Sequence, residues 1–209
     1  MVKDMILYSA NEMARLGCND CSGCSSCCRG MGESILLDPY DIFQLQAGTG
    51  QNFAQLMQDK IELHVDDGLI LPSIRMQNGT DVCGFLSQEG RCGIHTYRPG
   101  LCRLFPLGRN YDEKGLRYFL LEDACQMHNR TKIKIKKWLG IEALSKYEQF
   151  LIAWHDLRRM VQAQIAEQKS DDFTHKINVM ILDNFYQKPY DTSKDFYSQF
   201  EERRKVVMI

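Results

Sequence analysis

Three things are scarce in this chain. The first is charge of one sign: 26 lysines and arginines face 27 aspartates and glutamates across 209 residues, a formal net charge of -1. That balance excludes the global basic excess that drives non-specific binding to nucleic acid. The second is long apolar runs. None approaches the ~20 residues that a membrane-spanning helix needs, so no membrane association is expected. Near the start, Met5–Tyr8 is the one apolar stretch, set between Asp4 and Glu12, and it does not make a secretory signal. The cytoplasm is therefore the expected location, and the Asn-x-Thr triplets at Asn78 and Asn129 read as chance matches. The third scarcity is local. From position 131 onward the chain has no cysteine, one glycine (Gly140) and one proline (Pro189).

This unevenness divides the sequence. Residues 1–130 hold all nine cysteines, 14 of the 15 glycines and four of the five prolines, and should be turn-rich and irregular. Residues 131–209 should be helical and pack as one unit with the first region. The expected fold class is α+β: a metal-stabilised, cysteine-rich half with short hairpins against a helical C-terminal half.

The elements follow from local pattern. Asp4–Leu16 reads as a helix stopped by Gly17. Asp38-Pro39 is a helix start, a cap followed by proline in the first turn, with Gly48 as its end. Residues 52–65 place Phe53, Leu56, Met57, Lys60, Ile61 and His64 at helical spacing. Residues 69–76 read as extended, with Pro72 confining them to a sheet edge. Hairpins are expected around Ser87–Gly90 and around Asp112–Gly115. Leu144, Tyr147, Leu151, Trp154, Arg158, Val161 and Ile165 predict one long helix with a self-sufficient apolar stripe. Phe173–Ile181 and Asp191–Lys205 predict two more.

The cysteines carry the chemistry. Residues 18–28 read CNDCSGCSSCC, followed by single cysteines at 83, 92, 102 and 125. An odd number in a cytosolic chain argues against a disulfide framework. Five thiols in eleven residues are a poor fit to inert buried cysteine and fit metal, which takes the thiolate and holds it. The two-residue gaps let neighbouring sulfurs reach one ion at about 2.3 Å, and steps of three also suit an iron–sulfur cube. Adjacent cysteines point different ways, so Cys27 and Cys28 are expected to serve different centres or different faces of one site. The later cysteines are too isolated to build a site locally, so at least one centre should mix ligands from 18–28 with ligands from 83–125. Cys83 and Cys92 each precede a glycine, which lets the backbone turn close to a ligand. Arg29, Arg91, Arg98 and Arg103 lie within four residues of a cysteine and could offset thiolate charge.

Taken in order, Cys21-x-x-Cys24-x-x-Cys27-Cys28, Cys83-Gly-Phe-Leu, Arg91-Cys92-Gly-Ile, Arg98-Pro99-x-x-Cys102-Arg103-x-Phe105-Pro106 and Cys125 resemble the CxxCxxCC cysteine-cluster family. This is the YkgJ type, named as a putative zinc- or iron-chelating domain. The resemblance spans about residues 18–128. It implies a metal-binding protein whose ligands are Cys21, Cys24, Cys27, Cys28, Cys83, Cys92, Cys102 and Cys125. It leaves Cys18 surplus and hence dispensable, and Gln126 and Met127 after Cys125 depart from the usual pattern. The expected cofactor is an iron–sulfur cluster, of the 4Fe-4S type by the steps of three, or else zinc. A related cluster occurs in the lysine methylase acting on flagellin, so the function reads as electron transfer or a cofactor-bearing accessory. The alternatives are redox or methyl-transfer catalysis at the cluster, or a structural zinc-stabilised adaptor. The partner implied is another protein or a redox partner.

Weaker signals resolve to ordinary roles. The stretch Arg130–Lys137 has five basic residues in eight, but without interleaved aromatics it reads as a solvated face. His95 and His128, each three residues after a cysteine, read first as hydrogen-bonded loop histidines and second as metal ligands. No phosphate-cradling loop, nucleophile elbow or H-E-x-x-H motif is present, and no residue stands out as a general base.

Overall fold

The computed structural model describes residues 5–18, 24–77, 79–127 and 129–207. The architecture is α+β: four antiparallel strand pairs and short helices up to about residue 140, then long helices. Strand β1 (Met13–Gly17) pairs with β8 (Thr131–Lys134), β2 (Ile61–Asp66) with β3 (Leu69–Ile74), β4 (Met76–Gln77) with β5 (Val82–Cys83), and β6 (Leu107–Asp112) with β7 (Gly115–Leu120). Between them lie α1 (Pro39–Thr49), α2 (Phe53–Asp59), α3 (Gly100–Leu104) and α4 (Ile135–Leu139). The C-terminal helices are α5 (Leu144–Gln168), α6 (Asp171–Leu182), continued by a π turn over Asp183–Gln187, and α7 (Phe196–Val207).

The opening segment is not the expected helix. Residues 13–17 alternate exposed and buried, with Ala14 and Leu16 inward, which is the two-residue period of a strand. Pairing with β8, more than a hundred residues away, overrides the local helical reading. Gly17 is not a stop there: a side chain at this position would run into the Thr131 hydroxyl. The segment 52–65 is likewise half helix and half strand. Asn52 caps α2 in a reciprocal capping box with Gln55, and Ile61–Asp66 then hydrogen-bonds to β3. Helix α1 runs one residue past Gly48 and is capped by Gly50 in the left-handed region, φ 70°.

The other expected elements are present, with adjustments. Pro72 sits opposite Leu63 in a two-stranded pair, and its carbonyl accepts from Leu37 N–H at 2.8 Å. The hairpin around 112–115 is regular from Leu107↔Leu120 to Asp112↔Gly115. The one around 87–90 reduces to a bridge between Leu86 and Cys92, closed by Ser87 N–H donating to Arg91 carbonyl at 2.8 Å. Val82–Cys83 pairs backwards with Met76–Gln77 instead.

One large core joins both ends of the chain. It contains Ile35, Leu37, Ile42, Leu45, Leu56 and Leu71 from the first region, with Phe150, Trp154, Val161, Phe185 and Phe200 from the second. The stripe of α5 is thus covered by residues of both regions rather than by helices alone. Tyr40 on α1 lies 5.2 Å from the Tyr147 ring and 5.1 Å from Phe196, and Tyr186 donates its hydroxyl to the Leu37 carbonyl at 3.0 Å. A second, smaller core of Leu16, Leu104, Leu107, Tyr118, Ile135 and Leu139 sits under β1, β6 and α4.

A buried polar clamp fixes α1 against α3. Asp38 and Asp41 form a capping box: Asp38 Oδ1 accepts from Asp41 N–H at 2.9 Å, and Asp41 Oδ2 accepts from Asp38 N–H at 3.0 Å. The other Asp41 oxygen, Oδ1, accepts from Gly100 N–H at 2.6 Å. Asp41 is only 2% exposed, so both of its oxygens work as acceptors with no water to replace them. Asp41→Asn sets an amide N–H₂ against one of these N–H donors. The expected cost is about 1–3 kcal/mol, read as a lowered urea midpoint with an unchanged m-value.

Candidate metal centre

The cysteines converge through backbone pairing rather than through their own bonds. Cys27 and Cys28 lie in a single 3₁₀ turn, Ser26–Cys28. Arg29 then bridges Val82, and Gly30 N–H donates to Asp81 carbonyl at 2.9 Å. This short zipper carries the turn to Cys83 at the end of β5. Gly93 N–H donates to Phe85 carbonyl at 2.9 Å, which folds Cys92 back over the same strand. Cys102 arrives on α3, held by the Asp41–Gly100 bond. The glycines after Cys83 and Cys92 sit close to neighbouring backbone: a Cβ on Gly84 would lie 3.4 Å from Asp59 carbonyl, and one on Gly93 3.3 Å from Phe85 carbonyl.

The result is a cavity of about 70 Å³ lined by Cys24, Cys27, Cys28, Cys83, Cys92 and Cys102. Its remaining wall is apolar (Ile35, Ile74, Met76, Phe85) apart from Arg91, His95 and Arg98. A second cavity of about 30 Å³ adjoins it, lined by Cys18, Cys24, Cys27 and Cys125. Of the expected ligands, seven are therefore brought to these two spaces; Cys21 lies outside the described residues, as do His128 and Asn78. No disulfide joins any of the eight described cysteines. Among the described residues, no three His, Cys, Asp or Glu side chains are already drawn to coordinating geometry. The thiols line the walls of both spaces.

Burial and mutual contact shift the ionisation of these thiols. Burial pushes the Cys83, Cys92 and Cys102 thiols up. Cys28 is pushed up by the hydrogen bond it gives to Cys27, then by burial and the neighbouring sulfurs. Cys27, receiving that bond, falls to about 6, with Arg98 adding a smaller downward pull. One thiolate among neutral thiols is what a buried cluster of like acids allows. A metal ion removes the restriction by replacing the protons. The sulfur-only donor set fits soft or borderline ions such as zinc and iron.

The flanking arginines divide. Arg91 and Arg98 line the larger cavity. Arg103 instead donates to Thr96 carbonyl at 2.7 Å and Leu139 carbonyl at 3.3 Å, and Arg29 to Ser25 Oγ at 3.3 Å. His95 Nε2 accepts from Arg98 Nη1 at 2.7 Å, the hydrogen-bonded loop role. Two wall residues had no sequence signal: Ser26, whose hydroxyl donates to Gln126 Oε1 at 3.1 Å, and Gln126 itself. Neither is a residue type that singles itself out.

A family model covers residues 20–134, more than half of the chain: CxxCxxCC, described as a "Putative zinc- or iron-chelating domain". The chain belongs to that family. It is accordingly a metal-binding protein of the zinc- or iron-chelating kind. No curated protein and no solved structure matches the chain. Among the described residues, no helix is long and apolar enough to cross a membrane.

The raised thiols carry a pH signature. Cys83, Cys92 and Cys102 hold protons in the folded, metal-stripped chain that the unfolded chain loses above about pH 8.5, so their contribution falls as pH rises past that point. Cys27 works the other way: its depressed pKa adds stability as pH climbs from about 6, an increase complete by about 8.5. Stripped protein should therefore lose stability between about pH 8 and about pH 10. Metal-loaded protein, whose thiolates are already formed, should lose less. Urea midpoints for both forms at both pH values check this, and equal alkaline losses would contradict it.

Proposed function

We propose that the larger cavity holds a thiolate-ligated metal centre with Cys28, Cys83, Cys92 and Cys102 as its ligands, and that this centre is an iron–sulfur cluster of the 4Fe-4S type. The observation that carries the reading is one buried cavity lined by six thiols from four separate stretches of chain. Its volume supports a cluster over a single ion: about 70 Å³, on a scale where one water takes roughly 10–15 Å³. When bound, a cluster supplies one-electron redox capacity. The chain's own residues position the sulfurs, keep the wall dry through Ile35, Ile74 and Phe85, and place the Arg91 and Arg98 charges against the anionic thiolate shell. Residues 1–130 provide this site, and residues 131–209 give it helical backing. Thiols in this number, with no disulfide among those described, suit a reducing setting such as the cytoplasm.

The role proposed is electron transfer, or carriage of the cofactor as an accessory to an enzyme. An open groove of about 530 Å³ supports a partner- or substrate-facing side, because it shares His95 and Arg98 with the larger cavity. An enzyme using the centre directly for redox or methyl-transfer chemistry would draw on the same groove.

Protein purified without oxygen should be brown, with iron and acid-labile sulfide in equal amounts. Single Cys28→Ser, Cys83→Ser, Cys92→Ser and Cys102→Ser variants should each lose most of that colour. Reversible bleaching by dithionite is expected of an electron carrier and not of a structural adaptor. Colourless protein holding zinc in this cavity would replace the cluster by zinc, and protein binding neither metal would overturn the reading.

A further inference from the structure

A cavity of about 240 Å³ lies between strand β6, the start of α1 and helix α5, and no cysteine lines it. We infer that it is a binding site for a small zwitterion, an α-amino acid with an apolar side chain, whose carboxylate meets Arg109 and Arg158 and whose ammonium group meets Asp38. The inference does not depend on the metal centre.

The charges in its wall carry the reading. Arg109 has neutral partners: its Nη2 donates to the Tyr147 hydroxyl at 2.8 Å, and Tyr111 hydrogen-bonds to it as well. Asp38 is held by backbone, with Oδ1 accepting from Asp41 N–H at 2.9 Å. Burial pushes the Asp38 carboxyl up, and the charges of Arg109 and Arg158 pull it down, so the three groups share one field. Among the described residues, neither Arg109 nor Asp38 forms an ion pair. Buried charges in proteins are ordinarily paired in contact. Here a cation and an anion line one cavity without meeting. A ligand carrying both signs pairs with each of them and adds no net charge.

Arg158 supplies a second guanidinium. Its Nη2 is paired with Asp66 Oδ2, and its side chain is 26% exposed, which places it at the rim. A guanidinium suits a carboxylate because its planar N–H groups match the two oxygens. Tyr111 and His155 stack in the same wall with ring centroids 4.0 Å apart. Burial pushes the His155 imidazole down, so that ring adds little positive charge at neutral pH. The remaining wall is Leu36, Leu71, Leu101, Leu151 and Trp154, a surface that takes an aliphatic or aromatic side chain. At about 240 Å³, against roughly 10–15 Å³ for one water, the space takes an organic molecule rather than an ion.

The test titrates the full-length protein with L-leucine, L-methionine and L-phenylalanine by calorimetry. The tightest of the three is then compared with its des-amino acid and its decarboxylated amine. At least one amino acid should bind saturably, one molecule per chain, and raise the melting temperature. Each truncated form should bind about tenfold more weakly or worse, because it leaves a buried charge unmatched. Arg109→Gln should abolish binding. Should that variant not fold, Arg158→Gln at the rim decides: it should weaken binding by about tenfold, the loss of one charge-assisted contact, with an unchanged circular dichroism spectrum. No saturable binding by any of the three, equal binding of either truncated form, or full binding by Arg158→Gln overturns the inference. Metal content plays no part in these readouts, so the main-centre reading stands or falls separately.

Discussion

Buried, clustered sulfur is the constraint on which the first region of this protein is organised. Eight thiols share the walls of two small, largely apolar cavities. As thiols they are weak hydrogen-bond formers that could pack anywhere. As thiolates they would repel one another, and burial pushes the Cys28, Cys83, Cys92 and Cys102 thiols up. The hydrogen bond from Cys28 to Cys27 shows the limit of what protons can do: it stabilises one thiolate by holding its neighbour neutral. Only an ion lets all members of a set ionise together. The positive side chains at hand, Arg91 and Arg98, lie in the wall and soften the residual negative charge without replacing the metal.

The scaffold delivers sulfurs to that space through interactions that do not involve sulfur. Arg29 and Gly30 pair with Val82 and Asp81, so Cys28 meets Cys83 by backbone bonds. The Asp41 carboxylate grips Gly100 N–H, and Cys102 follows two residues later on α3. Helix α1, which bears Asp41, is in turn pinned by the aromatic contacts of Tyr40 with Tyr147 and Phe196. A chain of packing thus runs from α7 and α5 through α1 to a single thiol. This is the physical sense in which the long C-terminal helices matter to a thiol-lined cavity whose wall they do not form.

Much of the site was legible because its signal is chemical and local. A sulfur every third residue between 18 and 27 needs no tertiary information to be read as a ligand run. The expectation that Cys27 and Cys28 face different ways follows from adjacency alone, whereas in the structure both line the larger cavity and share a hydrogen bond. Helices with explicit caps, such as Asp38-Pro39 before α1, were equally plain. What escaped was everything decided by distant pairing. The strand at Met13–Gly17 exists because Thr131–Lys134 lies beside it, and Ile61–Asp66 leaves its helical pattern because β3 offers a ladder. The alternation of Ala14 and Leu16 was visible, yet a helix of the same residues was equally consistent until the partner strand was known. Ser26 and Gln126 could not have been found at all, since neither residue type marks a site without its neighbour.

Cys18 shows how far such distant pairing can reach toward the thiol-lined cavities. Read locally, it extends the run of threes by one step; read by family, it is surplus. Its position is settled by neither, but by the strand that precedes it. Strand β1 is held by β8, and β8 leads directly into α4, which carries Trp138, the wall of the smaller cavity. The same pairing therefore sets both a thiol and the surface it packs against. Bringing the Cys18 and Cys125 segments together closes a loop of about a hundred residues, for which the entropy cost grows only logarithmically with length. The β1–β8 ladder and the Ser26–Gln126 bond both make that closure without any sulfur. The smaller cavity is therefore a seam assembled by strand pairing and a side-chain hydrogen bond, with its thiols carried along by the backbone that precedes and follows them.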